Sequence, residues 1–268
     1  MITLDDKYRL EDFGFICEPG YDDPLTPSFS RKTYSIPGRE GVIPFGTEIK
    51  EKEFAYPLII MERFHIEMQR KFEKFIAFFF DEYGQPRTIK MVRDYDPGKF
   101  YYVELAQQIT PDRLAEDGKF VLPLVAYDPR AYSIMDSTKE LHWNDSIPWM
   151  SDIPINFKKT SYIINGSQNL SINNFGTMVV RPIVEIKGSA ENLTLTINGE
   201  RFSFGTFVNS SFLIDTQRYM VIKNGNNFLF EMKGNLEKLE LKSGINSINI
   251  AGSNINTNID FKFHSKYK

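Results

Sequence analysis

The stretch Tyr127-Asp-Pro-Arg-Ala-Tyr132 divides this chain into two unlike halves, one holding a strongly helical segment and the other made almost wholly of short alternating runs and turns. In the first half Phe64, Met68, Phe72, Phe75 and Phe79 recur at steps of four, four, three and four, which stacks them on one face of a helix from about Glu62 to Phe80. A helix with such a stripe lies on a sheet. In the second half Asn-Gly pairs at 165–166, 198–199 and 224–225 separate short apolar runs. Asn-Gly favours the type I′ turn, whose twist suits antiparallel strands, so the prediction there is a β-sandwich or jelly roll.

Length supports the division. At 268 residues the chain exceeds the usual single core of roughly 100 to 200 residues. The expected fold is mainly β with one helix: an N-terminal β-domain over 1–132 and a second sandwich over 133–268. Residues 133–154 read as a linker lying down over one or both domains, because they hold Trp143 and Trp149, whose indoles seek burial. Within the first domain, Pro37-Gly38-Arg39-Glu40 joins the strand-like runs Ser28–Ile36 and Gly41–Ile49. Proline presets φ and glycine accepts the turn geometry, and the arms carry few large apolar side chains, so this hairpin is expected to project. Further strands are predicted at Lys52–Met61, Arg87–Val92, Lys99–Ala106 and Lys119–Tyr127, with Asp94–Gly98 as a turn. Glu67 stands four residues before Lys71, the favourable order for a helix ion pair. In the second domain the predicted strands include Ser161–Ile164, Thr177–Lys187, Leu193–Ile197, Ser211–Thr216, Met220–Lys223, Phe228–Met232, Ile245–Ile250 and Ile259–Phe263.

The net charge of −3 is unevenly placed: residues 1–132 hold 18 basic and 23 acidic side chains, net −5, and residues 133–268 hold 14 and 12, net +2. Neither half has the concentrated basic field that a phosphate backbone requires. Cys17 is the single cysteine, so an internal disulfide is excluded, and it reads as a small buried or half-buried apolar residue. No run reaches the roughly 18 apolar residues of a membrane span, and the N-terminus lacks the apolar run of a secretion signal. The expectation is a chain made in a cytoplasm and soluble there, in which Asn192-Leu-Thr194 is a chance sequon.

No catalytic, metal or cofactor motif emerges. His65, His142 and His264 are far apart and lack partners at ligand spacing. Gly41-Val-Ile-Pro-Phe-Gly46 imitates a phosphate loop, but Thr47 stands where the phosphate-reaching lysine is required and no helix follows. Carboxylate pairs for sugar hydrolysis leave no spacing signature, and Glu185 and Asp215 are the residues such a site would use. Against that, Asp215-Thr216 reads as a turn cap and Glu185 as the polar face of a strand. On the residues alone a scaffold, a glycan-binding adhesion module and a glycoside hydrolase all stand.

The order of elements carries further. The turn-strand Asp94-Tyr-Asp-Pro-Gly-Lys-Phe-Tyr-Tyr-Val103 and the closing Phe120-Val-Leu-Pro-Leu-Val-Ala-Tyr-Asp-Pro-Arg-Ala-Tyr132 follow the helix. Arg181-Pro-Ile-Val-Glu-Ile-Lys-Gly188, Leu193-Thr-Leu-Thr-Ile-Asn-Gly199, Leu241-Lys-Ser-Gly-Ile-Asn-Ser-Ile248 and the aromatic-basic Phe261-Lys-Phe-His-Ser-Lys-Tyr267 come after. Together they resemble the distal tail proteins of long-tailed, non-contractile bacteriophages across nearly the whole chain. The resemblance implies a non-enzymatic part of the virion tail tip, without cofactor. Six copies would form a ring between the tail tube protein and the tail-tip or baseplate proteins that contact the host. Receptor-binding proteins or a host cell-wall glycan are further partners. The first domain would make the ring, and the second, similar to galectins and carbohydrate-binding modules, would decorate it. The projecting hairpin then supplies the candidate ring-interface residues Tyr34, Ile36, Arg39, Val42 and Phe45. An acidic first half agrees with a channel that passes DNA without binding it.

Overall fold

In a computed structural model of the chain, residues 1–113, 117–139 and 160–268 are described. The chain forms two compact units, Met1–Ala131 and Tyr132–Lys268. Among the described residues it is mainly β with one α-helix.

The first unit contains β1 (Ile2–Leu4), β2 (Tyr8–Arg9), β3 (Ile16–Cys17), β4 (Phe29–Tyr34), β5 (Ile43–Ile49), β6 (Lys52–Met61), α1 (His65–Phe78), β7 (Ile89–Arg93), β8 (Asp96–Leu105), β9 (Asp112–Arg113) and β10 (Asp117–Ala126). An antiparallel sheet runs in the order β2-β1-β7-β8-β10-β6-β3. Its longest ladder pairs β6 with β10 from Lys52↔Ala126 to Met61↔Asp117. Alternation sets the faces: Phe54, Tyr56, Leu58 and Ile60 of β6, with Phe120, Leu122 and Leu124 of β10, point into the core.

The helix packs on that face as its spacing demands. Met68, Phe72, Phe75 and Phe79 are buried, and the Phe72 ring meets Phe120 at 5.6 Å while Phe75 meets Phe15 at 4.7 Å. Room for Phe72 is made by Gly118, where an added Cβ would lie 2.7 Å from its ring. Phe64 departs from the expected stripe. It sits at the N-cap with extended backbone, outside the helical period, and is 68% exposed. Nor do Glu67 and Lys71 pair: Glu67 takes Arg70 at 2.6 Å, while Lys71 reaches out of the helix to Glu62 at 2.7 Å. The Asp94–Gly98 turn is also tighter than expected, because a register shift at Arg93 lets β8 restart at Asp96.

In the second unit lie most of β11 (Ala131–Asp136) and β12 (Ser161–Ile164), β13 (Gln168–Asn174), β14 (Ile183–Ile197), β15 (Glu200–Asp215), β16 (Met220–Lys223), β17 (Asn226–Asn227), β18 (Gly244–Lys262) and β19 (His264–Tyr267). The sheet order is β12-β18-β14-β15-β16-β17, with β13 also on β18 and β11 on β19. The expected short strands are largely segments of long ones, β14, β15 and β18 having 15, 16 and 19 residues. Ile245–Ile250 and all of Ile259–Phe263 but its last residue belong to one continuous run. What broke the sequence pattern is a set of bulges, which shift the alternation and bend the strand while pairing continues. At Gly188 (φ 139°) an added Cβ would lie 2.1 Å from the Asn256 carbonyl oxygen, so only glycine permits the close approach of β14 to β18 at this bulge. The sheet thereby curls around one core that includes Leu195, Phe204, Phe212, Ile250 and Phe261.

Three local expectations change. The linker assigned to 133–154 begins instead inside β11, where the Ser133 hydroxyl accepts the Ser265 N–H at 2.9 Å; Trp143, Trp149 and His142 lie outside the described residues. Phe228–Met232 is a turn, in which the Phe228 carbonyl accepts N–H bonds from Glu231 and Met232, both at 3.1 Å. Asn198-Gly199 and Asn224-Gly225 have positive φ at both residues, as type I′ requires, but Asn165-Gly166 does not. The strands flanking Asn165-Gly166 do not pair with each other; both lie along β18.

Candidate functional site

The hairpin of β4 and β5 forms a separate two-stranded sheet. Its ladder runs from Phe29↔Ile49 to Tyr34↔Ile43, with a register shift that leaves Phe45 as the extra residue on β5. Phe45 is 72% exposed and its ring meets Tyr34 edge-on at 6.3 Å. Val42 and Ile36 stand exposed near the turn, Arg39 occupies the turn, and its N–H reaches the Ile36 carbonyl at 3.1 Å. The structure thus brings Tyr34 and Phe45 together and sets Ile36, Arg39 and Val42 around the tip. The interface residues proposed from sequence omit the base of the ribbon. There Phe29 and Ile49 face each other across the ladder, both more than half exposed, with the Arg31 guanidinium 5.5 Å from the Phe29 ring. No pattern within either arm marked that face; it follows from the register that sets Phe29 opposite Ile49.

A two-stranded ribbon is marginal in water by itself. This one shows large apolar side chains on both faces, more than a hairpin without a partner needs to expose. Lys32 and Glu48 pair across it. Its root is built far more firmly. The Ser28 carbonyl accepts the Lys50 N–H at 2.9 Å, and Asp22 and Ala55 exchange two backbone bonds of 2.8 and 3.0 Å. Asp23, just before the ribbon, pairs with Arg93 at 3.0 Å and accepts the Tyr95 hydroxyl. Arg93 lies 5.0 Å from the Tyr101 ring, whose hydroxyl accepts a 3.1 Å bond from buried Lys52. Burial, with the Asp23 charge next, pushes the neighbouring Tyr56 phenol up from its ordinary value.

The carboxylates weighed for hydrolysis are otherwise engaged. Asp215 accepts N–H bonds from Gln217 and Arg218, each 3.0 Å, as a turn cap does. Glu185 holds Lys262 at 2.6 Å and Lys187 at 3.1 Å, and the Lys262 bond above all keeps its carboxyl below the usual carboxylate range, opposite to what a general acid needs. His65 stands exposed at the helix start and His264 takes the Ser133 carbonyl at 2.9 Å. Among the described residues no three His, Cys, Asp or Glu side chains gather as a metal site. Cys17 is half-buried, and burial raises its thiol.

Comparison with known proteins decides the setting of the hairpin and its sheet. The family described as phage tail protein RIFT-related domain matches residues 8–126. Residues 8–126, a little under half of the chain, thus resemble a phage tail protein domain. The domain contains the hairpin, its root and α1. Over the whole chain the fold is similar to that of the Dit (gp 19.1) protein of phage SPP1, a paradigm of the hub adsorption apparatus in phages that infect Gram-positive bacteria. That match has a TM-score of 0.67 and 14% identity and covers 100% of this chain and 98% of the SPP1 protein. A chain of the phage P2 baseplate in its activated conformation with calcium aligns at a TM-score of 0.41 and 11% identity, covering 95% of this chain and 92% of that one. No curated protein sequence matches. The resemblance to distal tail proteins read from the sequence is borne out, by family for the tail domain and by fold for the whole chain.

Proposed function

We propose that this chain is a distal tail protein acting as a structural hub at the tail tip of a long-tailed, non-contractile phage. Six copies close into a ring through the tail domain. The second unit, a galectin-like sandwich, sits outside it. The ring joins the tail tube protein to the tip or baseplate proteins that reach the host, with receptor-binding proteins as further partners, and DNA passes through its channel unbound. The chain is made in the host cytoplasm and ends in the virion.

The observation that carries this reading is the fold match over the full length of both this chain and the SPP1 hub protein. The hairpin supports it, because its exposed apolar faces suit a contact with another chain. The charge supports it as well, since a tail domain within an acidic unit repels the phosphates of passing DNA. A closed ring repeats one heterologous contact, so damage to that surface is multiplied around it. Deleting Tyr34–Phe45 should abolish rings seen by electron microscopy and leave both units folded; rings of unchanged size would overturn the hairpin's role.

A further inference from the structure

Of the three Asn-Gly pairs in the second unit, Asn165-Gly166 alone lacks the positive φ angles of a type I′ turn. Asn165, Gly166 and Ser167 are exposed and form a bend between β12, which stops at Ile164, and β13, which begins at Gln168. The ends of the bend are held: Ile164 is buried opposite Thr257, and the Ser167 hydroxyl donates to the Gly252 carbonyl at 3.1 Å. Between them, among the described residues, neither the Asn165 side chain nor the Gly166 N–H makes a hydrogen bond. An added Cβ at Gly166 would meet nothing within 4 Å.

The other two asparagine amides are engaged. Asn198 Nδ2 donates to Asn246 Oδ1 at 2.8 Å and to the Glu240 carbonyl at 3.4 Å. Asn224 Oδ1 accepts the Ser211 N–H at 2.8 Å, and its Nδ2 donates to the Ser210 hydroxyl at 3.4 Å. Each of these turns is also closed by a ladder pair, Ile197↔Glu200 and Lys223↔Asn226.

An asparagine before glycine can lose its amide without an enzyme, because no Cβ shields the glycine nitrogen. That nitrogen bonds to the asparagine Cγ as the Cγ–Nδ2 bond breaks. The amide leaves as ammonia, taking the proton from the attacking nitrogen, and a succinimide ring remains. Water then opens the ring at either carbonyl to give aspartate or isoaspartate. Closure of the ring needs an amide free to turn and a backbone free to rotate between the two residues. We propose that Asn165 is the residue that deamidates first in the folded chain, ahead of Asn198 and Asn224. Each conversion adds a negative charge, taking residues 133–268 from net +2 to +1. The isoaspartate product also lengthens the main chain by a methylene between two strands that share β18. Only water is consumed, so the converted fraction rises with the age of the protein. The inference stands apart from the ring reading.

Full-length chain kept folded at mildly alkaline pH and then digested for mass spectrometry should show aspartate and isoaspartate at position 165 first. Asn198 and Asn224 should convert about tenfold or more slowly, since each amide must leave its hydrogen bonds before it can react. In urea the three rates should converge. Gly166→Val, which screens the nitrogen with a branched side chain, should preserve Asn165 and leave the two slow sites unchanged. Folded-state conversion at Asn198 or Asn224 as fast as at Asn165 overturns the assignment. So does an Asn165 that stays intact in the folded chain while reacting in urea, or one that converts at the parental rate in Gly166→Val.

Discussion

Asp23 and Arg93 stand 70 residues apart in the chain and 3.0 Å apart in space, with side chains only 5% and 10% exposed. This pair pins the segment that leads into the hairpin onto the strand β7. Breaking a buried pair costs about 3 to 5 kcal/mol when the other charge is left uncompensated, but Arg93 keeps Asp96 at 3.2 Å, so the cost here is smaller. Asp23→Ala should lose about 1.5 to 3 kcal/mol of stability in denaturant unfolding, the worth of a buried hydrogen bond to a charged group. A loss under about 1 kcal/mol would show that the pair does not hold the root.

The helix stripe gives a second expectation. Phe72→Ala removes a ring packed on Phe120 and Phe15 and should cost about 3 to 5 kcal/mol through lost burial and a residual cavity. Gly118→Ala approaches the same place from the sheet side and should destabilise by about 1 to 3 kcal/mol, because the added methyl meets the Phe72 ring. Unfolding of either variant within about 0.5 kcal/mol of the parent would mean that the stripe does not pack on the sheet.

In the second unit Gly188→Ala should prevent native folding of the sheet. Its φ of 139° and the Asn256 carbonyl 2.1 Å from an added Cβ leave no relaxed alternative. Loss of the β-sheet circular dichroism, or an insoluble product, is the expected result. A soluble variant with parental thermal stability would contradict the bulge.

The Glu185–Lys262 pair predicts a pH response. Glu185 has a folded pKa below its unfolded one, so its stabilising contribution is present above the ordinary carboxylate value of about 4.3 and is lost as pH falls through the lower folded value. Lys262 has a raised pKa, so its contribution is present below about 10.4 and is lost as pH rises through the folded value. Lys262→Met should move the Glu185 titration, followed by NMR, upward toward the ordinary value. An unmoved titration would assign the shift to another neighbour.

Glycan binding is the rival reading of the second unit. The full-length chain should bind simple β-galactosides no better than millimolar, about −4 kcal/mol. Micromolar binding of a host cell-wall glycan in calorimetry would make adhesion part of this unit's work.

Much of the first unit was legible because its signals are local and periodic. The Phe72 to Phe79 stripe, the Lys52–Met61 alternation and the Pro37-Gly38 turn each name their element within a dozen residues. Phe64 misled because apolar spacing continues past the residue where the backbone leaves the helix. In the second unit the alternation in β14, β15 and β18 loses phase at each bulge, so one bent strand reads as two short ones. For the hairpin, sequence gave the tip but not the base: Phe29 and Ile49 form a face only once the register is known. The Asp23–Arg93 pair had no local signal, since neither residue stands out in its own segment.

The junction between arm and core has a mechanical consequence. Only Lys50 and Glu51 separate the ribbon strand β5 from β6, and β6 is bonded to β10 over its whole length. Ladder bonds lie across the strands, so tension arriving along β6 strains the row together and does not open it from one end. Traction on the arm therefore reaches the interior as shear, the loading direction in which a β-ladder yields least.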